Sequence, residues 1–126
     1  MNDQRFPKSA RLLTPSDFKQ VMENAEVKSG QTNFLLLATV TGKPSARLGF
    51  IVSKKRVKLA VERNRIKRCM RETFRHLQHD LPPFDVVFLA KANLADLNNH
   101  ELQQSGKNAL QHLSKRYQKL QESVKS

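Results

Sequence analysis

The sequence predicts an α+β fold, an α/β two-layer sandwich in which helices cover a small central sheet. The expected order is helix, strand, strand, helix, strand, helix. Two observations carry this. Apolar runs of strand length stand at 34–40, 47–53 and 85–90. Around and between them, longer stretches repeat apolar residues at helical spacing. The 126 residues, 38% hydrophobic, suffice for one domain, 1–126, with a single two-layer core.

The elements follow in order. Residues 1–13, basic and punctuated by Pro7, read as an extended arm. Thr14-Pro15-Ser16-Asp17 is a helix start: Thr14 as N-cap, Pro15 at the first helical position and Asp17 near the positive end of the dipole. Phe18, Val21, Met22 and Ala25 continue at helical spacing to about Glu26. The runs at 34–40 and 47–53 flank Gly42-Lys43-Pro44, which suggests an antiparallel hairpin. A basic helix follows and ends before Leu81-Pro82-Pro83. The run at 85–90 is a buried strand, and strand–helix–strand makes it parallel to the strand at 47–53. General chirality predicts a right-handed crossover there. Asn98 with Glu101 caps a last helix carrying Leu102, Ala109, Leu110, Leu113, Tyr117 and Leu120 on one side. A frayed tail is expected over 122–126.

Charge is distributed unevenly. Residues 54–75 contain ten Lys or Arg against two Glu, a net +8 out of +12 for the chain, leaving +4 for the other 104 residues. At about 100° per residue, Asn64, Arg68, Arg71 and Arg75 fall within about 60° of each other, and Ile66, Met70, Thr73 and Leu77 lie nearly opposite. A helix stabilised by its own surface charges would mix signs as i,i+4 pairs. Clustered arginine instead repels itself and suits phosphate oxygens. With a pI near 10.4, nucleic acid is the favoured partner. A membrane surface lacks support, because the face opposite the arginines reads as protein core rather than an insertion face.

Other chemistry is scarce. No apolar run approaches ~18 residues, and the first six residues lack a signal-peptide core, so a cytoplasmic protein is expected. The single cysteine, Cys69, fits a reducing compartment and reads as a small buried thiol. His76 and His79, with Asp80, could hold a metal, but histidines near a helix C-terminus are more simply dipole partners. His100 and His112 read as surface residues. No paired carboxylates, Gly-rich phosphate loop, Ser/His/Asp order or CxxC pair appears. The chain reads as built to bind, with no catalytic or metal-ligating set of its own.

Arg47-Leu48-Gly49-Phe50-Ile51-Val52-Ser53-Lys54-Lys55, followed by Ala60-Val61-Glu62-Arg63-Asn64-Arg65-Ile66-Lys67-Arg68 and Arg71-Glu72, closely resembles the bacterial ribonuclease P protein component. The resemblance spans about residues 5–118, with Arg11-Leu12, Asp17-Phe18 and Asp85-Val86-Val87 also in family order. It implies the protein subunit of ribonuclease P, an endoribonuclease whose catalytic RNA holds the active-site Mg²⁺ and removes the 5′ leader of precursor tRNA. By resemblance Arg63, Asn64, Arg65, Lys67, Arg68, Arg71 and Arg75 contact the RNA subunit. Arg11, Phe18, Ser53, Lys54 and Lys55 line or border a cleft for the single-stranded leader, where a basic channel and a ring for stacking suit RNA. For Phe18, burial beside Val21, Met22 and Ala25 is the competing reading. Met22 stands where the family often has a second aromatic and Leu37 where a Tyr can occur, which lowers the stacking capacity of the cleft. The resemblance also implies a left-handed crossover, against the general rule, and a monomer bound 1:1 to the RNA. Two rivals remain: a structural RNA-binding module without a leader cleft, and a protein-only nuclease.

Overall fold

The computed structural model describes residues 14–40, 45–91 and 94–125, with side chains to 122. The expected arm, Arg11 within it, and the Gly42-Lys43-Pro44 turn lie outside the described residues. The elements are α1 (Pro15–Asn24), β1 (Val27–Gly30), β2 (Phe34–Val40), β3 (Arg47–Ile51), α2 (Ala60–Leu77), β4 (Phe84–Ala90) and α3 (Asn99–Lys125). Short 3-10 turns stand at Gln78–Asp80 and Leu94–Asp96.

The helix starts form as the sequence predicts. The Thr14 hydroxyl accepts from the Asp17 amide at 3.1 Å, and the Asp17 carboxylate accepts from the Thr14 amide at 3.4 Å, a reciprocal capping box. At α3 the Asn98 amide donates to Glu101 at 2.9 Å and the Glu101 amide donates to Asn98 at 2.8 Å. Helix α3 continues to Lys125, past the point at Glu122 where fraying is expected.

The sheet departs from the expected hairpin. Its order is β1-β2-β4-β3, so β2 and β3 are not neighbours. Strand β4 lies between them, antiparallel to β2 and parallel to β3. The parallel β3–α2–β4 connection is as expected. The physical reason for the insertion is burial. Six of the seven residues of β4 are buried, and a strand apolar on both faces belongs at the centre of a sheet covered on both sides. Strand β1 is an addition to the expected elements, because Val27-Lys28-Ser29-Gly30 has one large apolar residue and too little alternation to signal a strand. Its register comes from pairing, Val27 opposite Ala38 and Gly30 opposite Leu35.

The two faces of the sheet carry different layers. Phe34, Leu36, Ala38, Leu48, Val86 and Phe88 belong to the larger core with Ile66, Met70 and Phe74 of α2 and Leu102, Ala109, Leu110 and Leu113 of α3. Phe34 stacks on Phe88 with centroids 4.7 Å apart, and Phe84 meets Tyr117 edge-on at 5.9 Å. On the other face α1 seats Val21 against Leu37 and Val87, with Phe18, Ala25, Leu35 and Ile51 around them. Among the described residues α1 is the only helix on this face, and its ten residues are too few to span four strands.

Candidate nucleic-acid interface

Helix α2 begins at Ala60, not at Lys54. Residues 54–57 instead form a turn, in which the Ser53 carbonyl accepts from the amides of Arg56 at 3.2 Å and Val57 at 2.9 Å. The Ser53 hydroxyl also accepts from the Arg56 amide at 3.2 Å, a local bond that competes with helix. Val57 is buried, while Ser53, Lys54, Lys55 and Arg56 are exposed. The lysine pair is thus displayed on a loop between β3 and α2.

Along α2 the apolar stripe is as the spacing predicts, with Ile66, Cys69, Met70, Thr73 and Phe74 buried. Asn64, Arg68 and Arg71 are exposed on the outer side and Lys67 and Arg75 are half-buried. The Arg71 guanidinium lies over the Phe50 ring at 5.3 Å. Arg75 donates to Glu72 at 2.6 Å, and this guanidinium holds the Glu72 carboxyl below its ordinary range. His76 reaches the same carboxylate at 3.2 Å. Asn64, Lys67 and Arg68 have no acidic partner among the described residues.

The two arginines at the start of the helix turn elsewhere. Arg63 donates to the carbonyls of Val57 at 2.8 Å and Lys58 at 3.0 Å. Arg65 donates to Glu62 at 2.8 Å, to Asn99 at 2.9 Å and to the Ala95 carbonyl at 3.1 Å. The Cys69 thiol donates to the same Asn99 oxygen at 3.3 Å. Burial pushes that thiol up, against the pull of Arg65 and Arg68, so it is a poor nucleophile at neutral pH.

On the other sheet face, Phe18 is half-buried in the α1 cluster that includes Ile51. Ile51 also lines a groove of about 620 Å³ with Thr32, Asn33, Ser53, Arg56, Leu89, Ala90 and Lys91. Ile51 therefore connects the surroundings of Phe18 to those of Ser53. Met22 is 42% exposed, an aliphatic side chain on the open flank of α1. Sequence reasoning did not assign Arg56 and Lys91 to this groove. Arg56 directly follows Lys54-Lys55 and could have been included, whereas Lys91 arrives only through the order of the sheet.

Among the described residues no group of His, Cys, Asp and Glu has metal-binding geometry, and no helix is long and apolar enough to cross a membrane. The cations gathered here, Lys54, Lys55, Arg56, Lys67, Arg68 and Arg71, suit phosphate oxygens.

The Ribonuclease P family model matches residues 6–114. The ribonuclease P protein component of Marinobacter nauticus is 46% identical over 112 residues, covering 89% of this chain and 84% of that protein. That of Stutzerimonas stutzeri is 50% identical over 97 residues, covering 77% and 74%. The structure of the Staphylococcus aureus RNase P protein aligns with a TM-score of 0.72 at 26% identity, covering 87% of this chain and 96% of that one. The Thermotoga maritima RNase P protein aligns with a TM-score of 0.68 at 27% identity, covering 84% and 96%. A family model that matches most of the chain, relatives close to half identical and a shared fold agree: the chain belongs to the ribonuclease P protein family.

Proposed function

We propose that this protein subunit binds the catalytic RNA of ribonuclease P and the 5′ leader of precursor tRNA, assisting leader removal by an active site that lies on the RNA. The carrying observation is the outer side of α2. The two carboxylates of the helix are already engaged, Glu62 with Arg65 and Glu72 with Arg75. Asn64, Lys67 and Arg68 stand beside Arg71 without an acidic partner among the described residues. Such a strip repels itself until a polyanion neutralises it.

In this reading the strip Asn64, Lys67, Arg68, Arg71 and Arg75 faces the RNA subunit. The leader runs along the opposite sheet face, past Phe18 toward Ser53, Lys54 and Lys55, over the apolar floor of Ile51 and Leu89. The cations neutralise phosphates where two RNAs approach, which lowers the Mg²⁺ needed for substrate binding and cleavage. In this reading Mg²⁺ is held by the RNA. The protein acts as a cytoplasmic monomer, 1:1 with its RNA.

The test is cleavage of a precursor tRNA at low Mg²⁺ by the protein alone, by a bacterial ribonuclease P RNA alone, and by both. Cleavage only with both is expected. Cleavage by the RNA-free protein would move the chemistry onto the chain. Binding without stimulation would make the chain a structural RNA-binding module.

A further inference from the structure

We propose that Arg63 and Arg65, the two arginines of Arg63-Asn64-Arg65, are positioning residues that brace the first turn of α2 on both flanks and are not part of the strip that meets phosphate. On a helix each lies about 100° from Asn64, on opposite sides, whereas Arg68 lies about 40° from Asn64 and Arg71 about 20°. The charge-dense motif is therefore two structural arginines around one outward residue.

The hydrogen bonds follow that geometry. All three guanidinium nitrogens of Arg65 are engaged: Nε with Glu62 at 2.8 Å, Nη1 with Asn99 at 2.9 Å and Nη2 with the Ala95 carbonyl at 3.1 Å. Ala95 lies in the 3-10 turn before α3 and Asn99 is the first residue of α3. One planar fork thus ties α2 to the corner where α3 begins, a geometry an ammonium cannot reproduce. On the other flank Arg63 Nη1 takes the carbonyls of Val57 and Lys58, both just before the helix. Helix α2 has no side-chain N-cap, so the segment entering it needs another anchor. That segment carries Lys54 and Lys55. Arg63 holds the lysine turn and Arg65 holds α3 in fixed relation to the strip at Asn64 and Arg68.

The inference rests on the RNA reading for the identity of the strip's partner, and salt dependence separates the two. Removing one phosphate-binding side chain lowers the slope of log K against log salt by about 0.7–0.9. Binding of the full chain to a bacterial ribonuclease P RNA is measured across salt, well below the melting temperature, for Arg68→Ala, Arg63→Ala, Arg65→Ala, Arg65→Lys and Asn99→Ala. Arg68→Ala is expected to lower the slope by about one such step. Arg63→Ala and Arg65→Ala are expected to weaken binding several-fold with the slope unchanged. Arg65→Lys is expected to give no rescue, and Asn99→Ala to weaken binding equally although it removes no charge. A slope lowered at Arg63 or Arg65 as at Arg68, or full rescue by lysine, would overturn the brace. So would unchanged affinity in folded Arg65→Ala, which would leave only a stability role. Melting of Arg65→Ala, Asn99→Ala and their double variant provides a readout without RNA. Non-additive shifts support the brace and additive ones refute it. If Arg68→Ala alters neither affinity nor slope, the RNA-facing strip is wrong, and the melting cycle still decides the brace.

Discussion

Arg47 is the residue on which the α1 side of the sheet turns. From β3 its Nε and Nη2 meet the two carboxylate oxygens of Asp85 on β4 at 2.8 and 2.6 Å, and Nη2 also reaches Asp17 of α1 at 3.4 Å. Asp85 is 2% exposed, and its hydrogen bond is the first cause that raises the Arg47 guanidinium above its ordinary range. The bidentate pair joins the parallel strands, and the longer contact ties the start of α1 to them, one residue from Phe18. A buried pair contributes little net stability when intact, but breaking it leaves an uncompensated charge. Arg47→Met is expected to cost about 3–5 kcal/mol. Arg47→Met with Asp85→Asn is expected to recover much of that, because neither charge then remains buried. Urea unfolding of the three variants checks this. A cost for Arg47→Met no larger than a surface substitution, about 0.5 kcal/mol, would show that Asp85 finds another partner. Nothing in the sequence pairs two residues 38 positions apart; only the insertion of β4 beside β3 brings them together.

At the scale of elements, the approach of α2 to α3 is closest at Gly106, buried two turns into α3. A Cβ there would lie 2.8 Å from the Met70 sulfur and 3.1 Å from its methyl, with the Thr73 methyl at 3.6 Å. Two effects oppose each other on substitution. Alanine gains about 1 kcal/mol of helix propensity over glycine, and displacing a thioether costs something similar, because Met is flexible but Met70 is buried. Gly106→Ala is therefore expected to fall within about 1 kcal/mol of the parent. Gly106→Val adds two methyls against Thr73 and Met70 and loses propensity, so about 1–3 kcal/mol of destabilisation is expected. Thermal melting of both variants tests the contact, and a neutral valine would mean that the helices separate freely. The helices were legible in the sequence because caps and stripes are local: Thr14 with Asp17, Asn98 with Glu101, Ile66 with Met70 and Thr73. The strand order was not, because β2 and β3 flank a turn in sequence while β4, arriving about 40 residues later, takes the central place by burial. The candidate site divides the same way. Arg68 and Arg71 could be read from helical spacing, whereas the partners of Arg63, the corner met by Arg65 and the place of Lys91 depend on tertiary neighbours.

The whole molecule carries +12, of which residues 54–75 contribute a net +8. At this scale the concentration of charge becomes a statement about stability. Self-repulsion destabilises the compact state, and the α2 strip is where it is worst relieved, since both carboxylates of that helix already serve Arg65, Arg75 and His76. Simple salt reduces repulsion through screening, over about 8 Å at physiological strength. A multivalent anion seated between Lys67, Arg68 and Arg71 does more, because binding to the folded state alone adds RT ln(1 + [L]/Kd). Pyrophosphate at millimolar concentration separates the two, being too dilute to act through preferential exclusion as molar sulfate does. It is expected to raise the melting temperature more than sodium chloride at matched ionic strength. Arg68→Ala should shrink the difference while leaving the chloride response in place. Equal shifts for the two salts would show that the strip is only screened and never occupied by a discrete anion. A difference untouched by Arg68→Ala would place the bound anion elsewhere, with the lysine turn at Lys54 and Lys55 and the adjoining groove at Arg56 and Lys91 as the next cations to substitute.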